Sequence, residues 1–145
     1  MTTSAGARMA ATYALLRGAA DIADHWVQTD AQAVTKSAQG KQASAGRAAC
    51  GRHVAAYVAV QGLALLAGNR ALDLGLSRRR IAAALAISGV THYAADRREP
   101  LKRLAHATGK GNFWDLAPPL GGAYALDQAW HHGAELAAAV VAARP

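Results

Sequence analysis

At the end of an apolar run that starts at Ile81 stands the stretch Thr91-His92-Tyr93-Ala94-Ala95-Asp96. His92 and Asp96 are four residues apart, and on a helix this spacing places both side chains on one face, one turn from each other. An imidazole and a carboxylate in that arrangement can bind one metal ion or hydrogen-bond each other. The stretch therefore predicts a helix whose apolar surface carries a pair of polar groups.

Three other segments of helical length carry pairs with the same four-residue spacing. These pairs are Asp21/His25, which overlaps Asp24/Gln28, then His53/Tyr57, and then Asp127/His131. Helix bundles build metal sites from polar side chains that several helices direct at a shared centre. We therefore predict an all-α fold, a single bundle of four main helices with a buried polar or metal centre. Which face of the segment 21–28 points inward is left open by the sequence.

Length and composition agree with one helical domain over residues 1–145. The chain is long enough to bury a core, and its runs of Ala, Leu, Val and Ile favour helices over strands. We expect a disordered lead-in at 1–6 and a mobile polar connection at 29–46. The single cysteine, Cys50, excludes an internal disulfide framework and a cysteine-based zinc site.

The ends of the predicted helices are marked by capping and breaking residues. Ser77 is a good N-cap, Gly68-Asn69 is a stop signal, and Pro100 can begin a helix. The predicted helices span 7–28, 47–67, 78–96, 101–107 and 120–143.

A net charge of +7 and a pI near 10.2 indicate attraction to polyanions. Arg78, Arg79 and Arg80 open a predicted helix, where the helix dipole disfavours cations. We expect them to bind an anionic partner together with Lys36 and Lys110, although a solvated basic surface explains the same charges. The expected partners are an anionic small-molecule or nucleic-acid substrate, with an acidic membrane surface as a further class. The oligomeric state does not follow from the sequence.

The apolar windows at 54–68 and 81–95 are shorter than the ~20 residues that a membrane-spanning helix needs. The N-terminus is also a poor signal peptide, because its apolar stretch is broken and ends in Asp21. We therefore expect a cytoplasmic protein, with peripheral contact to a membrane left open.

The segment 77–98 also resembles a DNA-reading helix-turn-helix. Ile81 to Ser88, followed by Thr91, matches the usual pattern of that motif, and the high pI agrees with DNA binding. His92 and Asp96, however, fall where the recognition helix must bury apolar residues, and burying an unpaired carboxylate is costly. A DNA-binding regulator is therefore kept as an alternative.

Several carboxylates and imidazoles inside an apolar bundle are satisfied at once by a divalent cation. The alternative is a hydrogen-bonded polar network without an ion. His, Asp and Gln suit zinc, manganese, iron or nickel better than calcium, and their number allows one or two ions. The predicted ligands are Asp24, His53, His92, Asp96, Asp127 and His131. The residues expected to support or replace them are Asp21, His25, Gln28, Tyr57, Gln128 and His132.

The same motifs carry a family resemblance over about residues 21–132. The segment Asp24-His25-Trp26-Val27-Gln28-Thr29, with Lys36 following, resembles the Gly-Asp-aromatic-x-x-Gln-Thr signature of a family of small helical bacterial and phage proteins of unknown function. The pairs His53/Tyr57, His92/Asp96 and Asp127-Gln128/His131 are similar to its later motifs, in the same order. That family in turn resembles proteins labelled membrane-bound metal-dependent hydrolases. Ala20 stands where the family often has a histidine.

We expect a metal-dependent hydrolase that acts on a phosphoester or another anionic substrate. A bound ion lowers the pKa of its water and polarises the attacked oxygen. Asp96 or Asp127 would serve as the general base. Besides DNA binding, the remaining alternative is a non-catalytic protein of a membrane surface or a structural protein.

Overall fold

The computed structural model of the protein describes residues 4–144. It is 82% helical, and no β-strand occurs among the described residues, so the predicted all-α fold is confirmed. The α-helices are α1 (Ala5–Ile22), α2 (Asp30–Thr35), α3 (Ala43–Ala71), α4 (Arg78–Asp96), α5 (Glu99–Ala107), α6 (Gly111–Trp114) and α7 (Gly122–Ala143). A π-helical turn, Ala23–Val27, extends α1, and a 3₁₀ turn, Gly40–Gln42, precedes α3.

The four longest helices surround one core. Helix α1 contacts α3 and α7, and α4 contacts the same two helices. The ends of α1 and α4 meet the beginnings of α3 and α7, so that neighbouring helices run antiparallel. The described helices number seven, because the short helices α2, α5 and α6 lie in the connections between the four long ones.

The core has an apolar half and a polar half. Leu16, Leu65, Ile81 and Ala138 belong to the largest buried apolar cluster, which lies towards the end of α3 and the start of α4. The buried histidines and Asp96 lie in the first half of α3 and α7 and in the second half of α4. The four-residue pairs therefore face inward at one end of the bundle.

Helix α1 begins at Ala5, where the Ser4 side chain accepts a hydrogen bond from the backbone N–H of Ala7. The predicted disordered lead-in therefore does not extend to residues 5 and 6, and its residues 1–3 lie outside the described part of the chain.

Gly68 is buried within α3, near the C-terminal end of this helix, and the helix continues past it. A Cβ atom at Gly68 would lie 2.3 Å from Leu15 Cδ1, so this glycine permits the close approach of α1 and α3.

The polar connection 29–46 is folded. Thr29 and Gln32 form a capping box at the start of α2, and the 3₁₀ turn leads directly into α3. The buried guanidinium of Arg97 donates to the carbonyl groups of Lys36 and Ala38, the latter at 2.7 Å. These bonds tie the connection to the end of α4, and they hold Lys36 beside the polar half of the core.

Residues 78–96 form one continuous helix, and Ser88 is buried in its interior. The turn that would separate two helices of a helix-turn-helix is therefore missing from the segment that resembles this motif.

Among the described residues, one helical stretch, Gly40–Ala71, is long and apolar enough to cross a membrane by length and composition. Core helices of soluble proteins meet the same criterion, so the observation is weak.

Candidate metal centre

Four side chains from three elements converge in the polar half of the core. His53 lies on α3, His92 and Asp96 lie on α4, and Asp24 lies on the π-helical turn after α1. The Nε2 atoms of His53 and His92 are 2.9 Å apart. Asp24 Oδ1 lies 3.1 Å from the first of these nitrogens and 3.5 Å from the second. Asp96 Oδ2 lies 3.4 Å and 3.2 Å from the same two atoms.

These distances resemble the edges of a coordination polyhedron. A tetrahedral ion with bonds of about 2.0–2.1 Å to nitrogen and oxygen separates its ligand atoms by about 3.3–3.4 Å. The two imidazole nitrogens lie 2.9 Å apart, and each carboxylate oxygen lies 3.1–3.5 Å from both of them. The donors therefore have the chemistry and the spacing that a small divalent cation requires.

The same four atoms are poorly satisfied by one another. Asp24 Oδ1 and Asp96 Oδ2 are buried without a well-formed hydrogen bond to any described residue. The two facing Nε2 atoms can share only one proton in a hydrogen bond between neutral rings. Buried polar groups normally have partners, and a cation at the shared point would supply one for all four atoms. The residues present therefore fit a metal ion, and two overlapping groups could hold one: Asp24–His53–His92 and His92–Asp96–His131.

The electrostatics keep these donors in the forms that bind metals. Burial alone would raise the pKa of Asp96, but His92 and the Lys36 ammonium, whose Nζ is 2.7 Å from Asp96 Oδ1, hold that pKa well below its usual range. Burial would also raise the pKa of Asp24, but the contact with His53 and the other nearby histidines lower that pKa below its usual value. Burial lowers the pKa of His92 in spite of Asp96, which favours the neutral imidazole. The carboxylates of Asp24 and Asp96 are thus charged, and the imidazole of His92 is neutral, near pH 7.

The π-helical turn decides which face of the segment 21–28 points inward. Asp24 contacts the buried histidines, and Gln28 is partly buried beside it. Asp21 and His25 are exposed, where Asp21 pairs with Arg17 and the His25 ring contacts the backbone of Asp21. Single π-helical turns inside helices are frequent at functional sites, because they shift the register of the side chains that follow.

His131 and Asp127 extend the group from α7. His131 is buried, and its Nε2 lies 3.4 Å from Asp127 Oδ2. The ring of His131 stacks on that of His92 with centroids 4.3 Å apart. Burial lowers the pKa of His131, but Asp127 and the other carboxylates raise it by more. Gln128, partly buried, is 3.5 Å from Asp127 Oδ2.

A polar cleft of about 250 Å³ opens beside this group. Asp24, Asp96, Asp127 and His131 all line it, so the candidate ligands lie against a space that a small molecule can enter. The remaining lining residues include His25, Gln28, Lys36, Arg98, Tyr124 and Gln128.

Several residues that the sequence indicates lie elsewhere. His132 is exposed and does not line the cleft. Arg78, Arg79 and Arg80 begin α4, which places them about 27 Å of helix from Asp96. Lys110 lines a separate cleft between α5 and α7. These four cations are therefore not placed to contact an anion in the polar cleft, whereas Lys36 is.

Arg98 is a cleft residue that the sequence interpretation missed. Its backbone has φ = 59°, a left-handed conformation that is costly for a residue with a side chain. Within the described residues, its guanidinium has neither an ion-pair nor a hydrogen-bond partner, and it lines the cleft. No spacing or composition signal marks this position, because the conformation depends on how α5 follows α4.

A buried hydrogen-bond chain behind the histidines was also missed. Tyr57 Oη donates to Glu135 Oε1 at 2.8 Å, and the Arg17 guanidinium donates to both oxygens of Glu135 at 3.0 and 2.9 Å. Gln61 donates to Tyr57 Oη and accepts from the Ser88 hydroxyl. The Tyr57 ring lies against His92, with centroids 3.8 Å apart, so the chain holds one wall of the histidine group.

The sequence does carry a pattern that predicts this buried hydrogen-bond chain. Each polar pair continues by one more turn, which extends the spacing of four residues on three helices. The extended series are His53-Tyr57-Gln61, Ser88-His92-Asp96 and Asp127-His131-Glu135.

Comparison of the chain with protein-family models, with curated proteins and with solved structures finds no match. The resemblance to small helical bacterial and phage proteins therefore stays a prediction.

Proposed function

We propose that this chain is a metal-dependent hydrolase that acts on a phosphoester or another anionic substrate. The observation that carries the proposal is the convergence of two imidazole nitrogens, 2.9 Å apart, with two carboxylate oxygens that each lie 3.1–3.5 Å from both nitrogens, beside an open polar cleft. Zinc, manganese, iron and nickel suit this donor set, in one or two ions. When bound, such an ion supplies an acidified water and polarises the attacked oxygen.

Asp127 is a better candidate for the general base than Asp96. Both oxygens of Asp96 have close neighbours, because Oδ2 faces the two imidazoles and Oδ1 contacts Lys36. Asp127 lines the cleft and is only partly buried, with His131 as its neighbour. Its carboxylate would take a proton of the attacking water while the water oxygen bonds to phosphorus and the bond to the leaving oxygen breaks, and it would then give that proton to the leaving alkoxide.

The cations of the cleft favour an anionic substrate. Lys36 and Arg98 stand on its wall, in a protein of net charge +7. Lys36 is already paired with Asp96, so Arg98 is the cation with more of its charge available to a substrate. An arginine fork also matches the oxygens of a phosphoryl group.

A role at a membrane surface is the second candidate. Leu63, Leu66 and Val90 are large apolar side chains that α3 and α4 expose, and α3 belongs to the stretch that could span a membrane by composition. Sedimentation with acidic vesicles tests this role, and binding that resists high salt would support it.

The hydrolase proposal is tested by a panel of phosphate mono- and diesters, with tag-free protein reloaded with each of the four metals. We expect turnover that is lost in Asp127→Asn and in His92→Ala/Asp96→Ala but kept in His132→Ala, whose histidine is exposed and outside the cleft. Absence of turnover with every metal, or equal turnover in the double variant, would contradict the proposal.

A further inference from the structure

The donor atoms at the centre exceed what one small ion can use. Asp24, His53, His92 and Asp96 already offer four atoms, and each carboxylate oxygen lies 3.1–3.5 Å from both imidazole nitrogens. A tetrahedral ion with four protein ligands has no position left for a water or a substrate, which is the arrangement of structural sites. Catalytic ions keep an open position. A hydrolytic water therefore needs a different place to bind.

His131 and Asp127 provide such a place at the edge of the cleft. His131 Nε2 and Asp127 Oδ2 are 3.4 Å apart, a ligand-like separation, and both residues line the cleft. His131 is 4% exposed, and one of its ring nitrogens lies within 4.8 Å of donor atoms of His92 and Asp96. The pair thus adjoins the first group on its open side.

Asp24 is placed to join the two groups. Its Oδ1 faces the imidazoles of His53 and His92, while the residue also lines the cleft and its second oxygen has no hydrogen-bond partner among the described residues. The corresponding oxygen of Asp96 is instead paired with Lys36. Ions of two-metal sites lie about 3.5–4 Å apart, a distance that one bridging carboxylate spans.

We infer that the centre binds two divalent ions. One is buried among Asp24, His53, His92 and Asp96. The other is held at the cleft by His131 and by Oδ2 of Asp127, with Asp24 as the shared carboxylate, and the second oxygen of Asp127 keeps the role of general base. The inference rests on the proposed function, which requires at least one ion. It adds that the cleft ion is the one with open positions for water and an anionic substrate.

The test is the number of ions bound, measured by elemental analysis after reloading with Mn²⁺ or Zn²⁺ and dialysis against a weak chelator. Three tag-free proteins are compared: the parent, His131→Ala/Asp127→Asn, and the matched control His132→Ala/Asp115→Asn, whose two residues are exposed. Circular dichroism shows that each variant is folded. The electron paramagnetic resonance spectrum of the Mn²⁺ form reports whether two ions are close enough to couple.

We expect about two ions in the parent and the control, a coupled Mn²⁺ spectrum in both, and one uncoupled ion in His131→Ala/Asp127→Asn. One ion in the parent overturns the two-ion inference and leaves the proposed function standing. Two ions that persist in His131→Ala/Asp127→Asn also overturn it, because the second would then lie elsewhere. No ion in the parent overturns the proposed function itself.

Discussion

The Nε2 atoms of His53 and His92 lie 2.9 Å apart in the polar half of the core, and a carboxylate oxygen faces them on each side. Two neutral imidazoles can share only one proton, and the flanking oxygens of Asp24 and Asp96 lack well-formed hydrogen bonds. One cation at the common point satisfies all four atoms. The candidate metal centre thus depends on how three helical segments converge.

The buried hydrogen bonds that link Arg17 to Tyr57 pass through the carboxylate of Glu135. We expect Glu135→Leu to lower the free energy of unfolding by about 3 kcal/mol, because it removes the shared partner of a guanidinium and a phenol inside the core. Asp21→Asn, at an exposed pair on the same arginine, should cost less than about 1 kcal/mol. Urea unfolding followed by circular dichroism measures both. Equal effects would show that the buried chain adds nothing.

Arg98 combines a strained backbone with an unpaired charge at the cleft. Arg98→Gly should raise the free energy of unfolding by about 0.5–1 kcal/mol, because relief of a left-handed conformation outweighs the added freedom of the unfolded chain. The same variant should weaken the binding of inorganic phosphate several-fold. Thermal unfolding and titration calorimetry give the two readouts, with Arg98→Ala as a second variant that removes the charge but keeps a Cβ atom at this φ. Unchanged phosphate affinity in both variants would remove Arg98 from the anion site.

Two glycines of α3 should respond oppositely to alanine. A Cβ atom at Gly46 would lie 2.5 Å from the Ala38 carbonyl oxygen and 2.6 Å from Arg97 Nη1, whereas one at Gly51 would meet nothing within 4 Å. Gly46→Ala should therefore destabilise by about 1–3 kcal/mol, since backbone must move. Gly51→Ala should stabilise by up to about 1 kcal/mol through helix propensity. Stabilisation by both substitutions would show that the 29–46 connection does not pack closely against α3 at Gly46.

Cys50 is fully buried, and burial raises the pKa of its thiol to about 11. Because this pKa is higher in the folded chain than the ~8.5 of an unfolded one, the fold favours the protonated thiol. The corresponding stability is present below about pH 8.5 and is lost as the pH rises towards 11. A thiol reagent at pH 8 should therefore label the folded protein far more slowly than the urea-unfolded protein. Equal rates would mean that this region of α3 opens readily.

The spacing of polar residues predicted the helices and the inward face of α3, α4 and α7. It did so because a four-residue period on a helix is a local property that tertiary packing does not alter. The inward face of 21–28 could not be predicted, since the π-helical turn shifts the side chains after Ile22. A regular helix would leave the faces of Asp21 and Asp24 equally plausible.

The connection 29–46 was predicted to be mobile because its composition is polar. Its order depends on Arg97, whose guanidinium bonds two carbonyl groups about sixty residues earlier in the chain. Gly68 resembles a helix stop signal in the sequence alone. Its actual role depends on the side chain of Leu15, which packs where a Cβ atom would lie. Such long-range contacts leave no periodic pattern in a single sequence.

The metal content of the tag-free protein tests the central claim most directly. Elemental analysis should be made on the parent chain, on His92→Ala/Asp96→Ala, which removes two of the four converging donors, and on His132→Ala, which removes an exposed histidine. We expect at least about one equivalent of a transition metal in the parent and in His132→Ala, and none in the double variant. An absence of metal from the parent even after reloading, or the same content in the double variant, would contradict it.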